Sequence, residues 1–252
     1  MKKAILSLLL VASFSTVLAQ NTAEQFTSNI EKAHQKESFS AKKYISYSID
    51  IKFGGKDYMK GLITQETGGG KIKIEKPDGT TIIFDGTNVY GKGVPAKAKG
   101  GARFDIFTWS YFLGLPYKLN DSGTIWSDFV PNTWGKEKLN TGKLAFESGT
   151  GDAPDDWYVV YKTEKNTLAG AAYIVSFGKG KEAAEKEPHA IKYNNYTTVQ
   201  GIPFATNWTF HMWSLKDGYT AQIGEVNLSD IKFLEQANFS IPEGSEIINA
   251  PK

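Results

Sequence analysis

The sequence predicts a mainly β protein with few helices, and three patterns support this fold class. Apolar and polar residues alternate along much of the chain, which is the period of a strand buried on one face. Glycine-containing turns separate these segments by a few residues, which favours antiparallel hairpins. One stretch near the middle, residues 104–113, is apolar on nearly every side, which predicts a single buried central helix.

A short helix is predicted ahead of the first strand. Thr22 and Gln25 match a capping box, and Phe26 and Ile30 recur at helical spacing. We expect this helix to end near Ser38, where the hydrophobic period changes from 3.6 to 2.

Eleven strands are predicted, in two blocks that flank the central helix. The first block comprises residues 45–53, 58–67, 72–74, 81–84 and 89–90. The second block comprises residues 144–147, 157–162, 171–177, 191–197, 204–213 and 219–228. Residues 92–101 and 121–142 are expected to be loops, and the charged segment 179–188 is expected to be a helix-prone insertion.

The first nineteen residues have the pattern of an export signal. Lys2 and Lys3 precede an apolar run, and Ala19 supplies a small residue at the cleavage position. We expect residues 1–19 to be a signal peptide cleaved before Gln20, and residues 20–252 to form one domain in the periplasm or outside the cell. The apolar run is shorter than the roughly 20 residues of a membrane span. The Cys count of 0 excludes disulfides and thiolate metal sites, and it favours a bacterial periplasm over a secreted eukaryotic protein.

Charge gives no reason to expect a nucleic-acid partner. Without Lys2 and Lys3, 27 of the 29 basic residues remain against 27 acidic residues, so the mature chain is formally neutral. Nucleic-acid binding needs a positive field. We expect a soluble monomer that is at most peripheral to a membrane.

The order of elements resembles the periplasmic carriers of the bacterial lipoprotein-localisation pathway and their relatives. The resemblance rests on the turn from Asp85 to Tyr90, the central helix, the segment from Tyr196 to Pro203, and the terminal Phe239-Ser240-Ile241-Pro242. It covers most of the mature chain, and it is nearer to an uncharacterised group of secreted proteins with that fold. It implies a strongly curved, unclosed antiparallel sheet, or half-barrel, wrapped around the central helix, with a cavity that takes acyl chains.

One residue departs from the pattern of the carriers. They use an arginine on an early strand to hold their lid helices, whereas the single arginine here is Arg103, at the start of the central apolar segment. We expect Arg103 to form a structural ion pair with a neighbouring carboxylate such as Asp105 or Asp128.

No catalytic or metal-binding signature is found in the sequence. His34, His189 and His211 share no short motif with one another or with carboxylates, and each is expected to be a surface or half-buried histidine. The acidic run that contains Asp152 and Asp156 lacks the spacing of a calcium loop, so a solvated turn is expected. No cofactor is predicted.

The resulting hypothesis is a non-catalytic periplasmic binding protein or carrier for a lipid or for the acyl chains of an acylated protein. The alternatives are a small-molecule hydrolase that uses scattered carboxylates and an interaction module of the cell envelope. Under the carrier hypothesis a vacant hydrophobic cavity is expected, lined by Tyr47, Ile49, Ile51, Phe53, Ile72, Ile74, Trp208, Phe210 and Met212 and closed by Phe107, Trp109 and Phe112.

Overall fold

A computed structural model describes residues 22–250, so the expected signal peptide, residues 1–19, lies outside the described part. The helices are α1 (residues 22–33), α2 (Lys36–Ser40), α3 (Lys99–Gly114) and α4 (Lys181–Ala184). The strands are β1 (Tyr44–Phe53), β2 (Lys56–Glu66), β3 (Ile72–Glu75), β4 (Thr81–Phe84), β5 (Val89–Lys92), β6 (Thr124–Ser127), β7 (Pro131–Trp134), β8 (Glu137–Phe146), β9 (Tyr158–Lys162), β10 (Leu168–Tyr173), β11 (His189–Val199), β12 (Ile202–Ser214), β13 (Gly218–Leu234) and β14 (Glu246–Ile247). Short 3-10 turns cover Ala96–Ala98 and Leu115–Tyr117.

All fourteen strands belong to one antiparallel sheet that does not close. The strand order is β14-β5-β4-β3-β2-β1-β13-β12-β11-β10-β9-β8-β6, and β7 pairs with β8 off this path. Two meanders, β1 to β5 and β8 to β13, are therefore joined where β1 pairs with β13. The predicted class, a mainly β protein with one curved, unclosed antiparallel sheet, is confirmed.

The concave face of the sheet is apolar because every second residue of its strands is. In β1, Ile45, Tyr47, Ile49 and Ile51 are 0–2% exposed, while the residues between them face the other way. One large core covers this face and includes side chains from α1, α2 and α3. The predicted central helix is confirmed, and it lies on the concave side against β3, β4 and β5.

Two sequence expectations about loops are wrong. Residues 121–142 contain β6, β7 and the start of β8, whose four-residue edge strands bury too few residues to show a clear alternation. Helix α3 begins at Lys99 rather than near Phe104. Its first turn contains Gly100 and Gly101, which are exposed, so no hydrophobic period marks it.

The hairpin of β7 and β8 covers a second, smaller core on the outer face of the sheet. The Trp134 ring lies 4.2 Å from the Tyr161 ring and 4.9 Å from the Tyr219 ring, measured between centroids. Trp134 can sit there because Gly170 of β10 has no side chain: a Cβ at Gly170 would overlap both the Trp134 ring and the Ile191 carbonyl oxygen. Sheet and hairpin are thus packed through one glycine.

Replacing Gly170 by alanine should lower the free energy of unfolding by about 1–3 kcal/mol, because the added methyl group meets backbone that cannot move aside. Gly101→Ala is the matched control. A Cβ there meets nothing within 4 Å in α3, so it should stabilise the protein by about 0.4–1 kcal/mol. Urea unfolding followed by circular dichroism measures both. A Gly170→Ala protein as stable as the parent would contradict this packing.

The chain after β13 crosses the outer face to the far edge of the sheet. Phe239 packs on Tyr44 of β1 with 5.8 Å between ring centroids, and β14 then pairs with β5. Ile248 follows, 1% exposed. Within residues 22–250, no helix has both the length and the hydrophobicity needed to cross a bilayer.

Candidate functional site

The candidate site is the layer between α3 and the concave face of the sheet. Eleven of the twelve residues predicted to line a cavity meet there: nine are buried in the main core, and Phe53 and Phe107 are partly buried against it. Met212 is 36% exposed and lies outside that core, although it shares a strand with Phe210. Whether any of the twelve contacts a ligand stays a prediction.

Aromatic rings from α3 and from two distant strands interlock in this layer. Phe210 of β12 lies 5.4 Å from Phe53 of β1, 6.0 Å from Trp109 and 5.7 Å from Phe112, measured between ring centroids. Phe107 packs against Phe84 of β4 at 5.0 Å. Helix α3 therefore joins the two halves of the sheet through ring contacts.

This layer is filled by the side chains of the protein. An internal space found beside it, lined by His34, Phe112, Tyr117, Tyr193 and Trp208 among others, has a volume of about 10 Å³. That volume holds one water molecule at most, whereas ligand pockets measure roughly 300–1,000 Å³. The expected vacant hollow is therefore not present between these residues, because α3 and the N-terminal helices occupy the concave side.

His34 is buried, and the expectation of a surface or half-buried histidine is wrong. Its side chain follows the end of α1, where Gln35 adopts a left-handed conformation with φ 59° and redirects the chain. The backbone N–H of Leu168 donates to His34 Nε2 at 2.9 Å, while Nδ1 is buried without a partner among residues 22–250. Burial lowers the pKa of His34 to about 4. The ring thus ties the N-terminal helices to β10 in its neutral form.

Asp105 is a buried carboxylate inside α3. It is 4% exposed, and its Oδ1 accepts hydrogen bonds from Tyr58 Oη at 2.8 Å and from Trp109 Nε1 at 2.9 Å. Burial raises the pKa of Asp105, and the two hydrogen bonds oppose that rise. The side chain ties α3 to β2.

The expected partners of Arg103 are wrong. Arg103 forms a two-point ion pair with Asp152, with Nε 2.6 Å from Oδ2 and Nη2 2.9 Å from Oδ1. Its Nη1 also donates to the carbonyl oxygen of Ile248 at 2.8 Å. Asp105 is two residues further along the helix, so it points into the core while Arg103 points to the rim.

The structure places the three histidines apart from any carboxylate cluster. His211 contacts Thr220 O and Thr209 Oγ1 on the outer face, and His189 packs near Tyr173. In the described part of the chain, no group of three or more histidine, aspartate or glutamate side chains could hold a metal ion.

Sequence reasoning missed a group of tyrosines on the concave face. Tyr158 of β9, Tyr173 of β10 and Tyr193 of β11 are 7–8% exposed, and Tyr111 of α3 packs on Tyr158 at 5.5 Å between ring centroids. The segment that holds Tyr158, residues 157–162, was predicted as a strand without an assigned face. The inward direction of a side chain there becomes visible only with the strand register.

Comparison with known proteins gives a likeness of fold. No family model matches the chain, and no curated protein matches it. A solved LolA superfamily protein from Nitrosomonas europaea is similar over 87% of this chain and 97% of its own, with a TM-score of 0.53 and 12% sequence identity. A solved DUF1329 family protein from Desulfovibrio piger covers 84% of this chain and 94% of its own, with a TM-score of 0.45 and 12% identity. The protein has a LolA-like fold.

Proposed function

We propose that the protein is a non-catalytic carrier that binds the hydrocarbon chain of a lipid or of an acylated protein between α3 and the concave face of the sheet. It would act in the periplasm, after removal of residues 1–19. The observation that carries the proposal is the continuous apolar layer under α3, on a fold similar to that of a LolA superfamily protein. Because this layer is filled, a ligand chain would have to replace α3 rather than enter a ready cavity.

The free energies of such an exchange are of similar size. Four side chains of α3, Ile106, Trp109, Phe112 and Leu113, are 0–4% exposed. Uncovering them would cost roughly 6–12 kcal/mol, at about 1.5–3 kcal/mol each. A chain of about 16 carbons gains on the order of 10 kcal/mol at roughly 0.8 kcal/mol per buried methylene. An acyl chain can therefore compensate for the loss of α3 from this surface.

The two ends of α3 are held differently, which suggests the direction in which it moves. Near its N-terminus the contacts are polar and lie at the rim, namely Arg103 with Asp152 and Lys99 with Glu246. Just beyond its C-terminus, Tyr117 is 4% exposed and stacks on Phe39 with 3.8 Å between ring centroids. Rim ion pairs contribute little compared with a buried aromatic stack. We infer that the N-terminal end leaves first, while the C-terminal end stays in place.

Linking Arg103→Cys to Asp152→Cys with a short bismaleimide should abolish uptake of the apolar dye N-phenyl-1-naphthylamine, because α3 is then fixed to the rim. The chain has no cysteine of its own, so the linkage is specific. The same double variant without the linker should take up the dye at least as well as the parent. Fluorescence enhancement of the dye measures both.

A linked Asp50→Cys and Lys60→Cys pair is the matched control. These two side chains lie 3.2 Å apart on the outer face of neighbouring strands, so this link leaves α3 free and should leave uptake unchanged. Equal uptake by the Arg103–Asp152 linked protein would contradict the exchange. A protein purified from a native periplasm should also yield an acyl-containing molecule on solvent extraction and mass spectrometry. Neither extracted lipid nor dye uptake would rule out the carrier.

A further inference from the structure

The concave surface under α3 has two chemically different halves. The half formed by β1 to β4 is aliphatic, with Ile49, Ile51, Ile63, Ile72, Ile74 and Ile82 all 0–4% exposed. The half formed by β9 to β11 presents the rings of Tyr158, Tyr173 and Tyr193 instead. Tyr158 and Tyr173 are directly paired across β9 and β10, and their rings are stacked at 6.0 Å. A pure hydrocarbon gains nothing from phenol groups at one end of its site.

Three phenol hydroxyls in this half lack a partner within the protein. The Tyr111 hydroxyl is buried and unbonded, and the hydroxyls of Tyr158 and Tyr173 take part in none of the hydrogen bonds formed among residues 22–250. Only Tyr193 is satisfied, since it donates to Phe112 O at 2.7 Å. Tyrosine hydroxyls at buried sites normally have partners. The closed protein therefore leaves a group of donors and acceptors that a polar ligand group could use.

The charge beside these hydroxyls is negative. After burial, the Asp156 carboxylate contributes to raising the pKa of Tyr111, Tyr158 and Tyr173, so it lies close to all three. Asp156 Oδ1 accepts the backbone N–H of Ser176 at 2.6 Å. Asp155 and Lys179 are the other charged groups that act on Asp156, and the nearby Arg103 is already paired with Asp152. A second negative charge placed here would meet repulsion without a free arginine to offset it.

We propose that the ligand is an amphiphile whose head group is uncharged or cationic and donates hydrogen bonds. Its chain lies on the isoleucine half, and its head lies among Tyr158, Tyr173 and Asp156. This inference rests on the proposed carrier function, and it adds a preference for the head group to a site defined so far by its apolar surface.

Three ligands with the same lauryl chain separate head-group preference from chain binding. Monolaurin has a neutral polyol head, dodecylamine a cationic head, and laurate an anionic head at neutral pH. Each is titrated, below its micelle concentration, against the protein loaded with N-phenyl-1-naphthylamine. Monolaurin and dodecylamine should each displace the dye at about tenfold lower concentration than laurate, since an unfavourable charge or an unmet hydrogen bond at a buried site is worth at least one such factor.

Conservative variants test the named groups. The double variant Tyr158→Phe, Tyr173→Phe keeps both rings, so dye uptake should stay unchanged while the advantage of monolaurin over laurate falls to about threefold or less. Asp156→Asn should remove the advantage of dodecylamine. Tyr44→Phe, on the outer face, is the control and should change neither ratio.

The outcomes separate this inference from the proposed function. Laurate that binds as tightly as monolaurin and dodecylamine, or ratios that survive the tyrosine variant, would overturn the head-group preference while leaving the carrier intact. Failure of the dye and of all three lauryl compounds to bind would overturn both.

Discussion

Phe210→Ala should lower the free energy of unfolding by about 3–5 kcal/mol, because the ring is 1% exposed and lies at the centre of the aromatic layer under α3. Three rings, those of Phe53, Trp109 and Phe112, lie within 6.0 Å of it and would face a cavity. Denaturant unfolding followed by tryptophan fluorescence measures the loss. Phe210→Leu, which refills most of the space, should recover more than half of it.

Met212→Ala is the internal control for this result. Met212 is two residues further along β12, and alternation alone gives it the same face as Phe210. At 36% exposure and outside the core, it should cost roughly 0.5 kcal/mol or less. Equal losses for the two variants would show that the core extends along the strand and would contradict the boundary of the filled layer.

Acid should destabilise the protein through His34. The unfolded chain binds a proton on this histidine near its ordinary pKa of 6.5, whereas burial lowers the pKa in the folded protein to about 4. The folded state therefore loses stability as the pH falls from 6.5 to 4, by about 3 kcal/mol in total from this residue. Protonation at Nε2 would also remove the acceptor for the Leu168 N–H.

His34→Gln separates this effect from the titration of other groups. The glutamine amide oxygen can accept the same hydrogen bond and does not titrate, so the loss of stability between pH 6.5 and 4 should be smaller by about 3 kcal/mol than in the parent. The slopes are compared, because the variant can differ in overall stability. His189→Gln, at a half-buried site, should change the slope less. Parallel curves for His34→Gln and the parent would exclude His34 as the acid-sensitive group.

The architecture was predictable because its signals are local. Each strand from β1 to β5 alternates, and a glycine or Asp-Gly turn follows it, so the meander can be derived from windows of about ten residues. Helix α3 was recognisable because its middle is apolar on almost every side. The edge strands β6, β7 and β14 were missed because short strands that bury one face incompletely leave no periodic trace.

The candidate site was predictable as a surface and not as a set of contacts. Alternation identified Ile49, Ile74 and Trp208 as inward-facing, but it could not show that α3 fills the space in front of them. The partner of Arg103 lies 49 residues away, at Asp152, and the backbone that binds His34 lies 134 residues away, at Leu168. Such pairs depend on the register and curvature of the whole sheet, which no local pattern records.

The displacement of α3 by a hydrocarbon chain is the central claim, and a distance measurement tests it most directly. Nitroxide labels on Gly100→Cys, which has open space in α3, and on Leu215→Cys, which is 62% exposed at the turn after β12, report the position of the helix relative to the sheet. Pulsed electron–electron resonance should give one narrow distance for the free protein and a second population when monolaurin is added. A distance that stays unchanged while monolaurin displaces the dye would contradict the account.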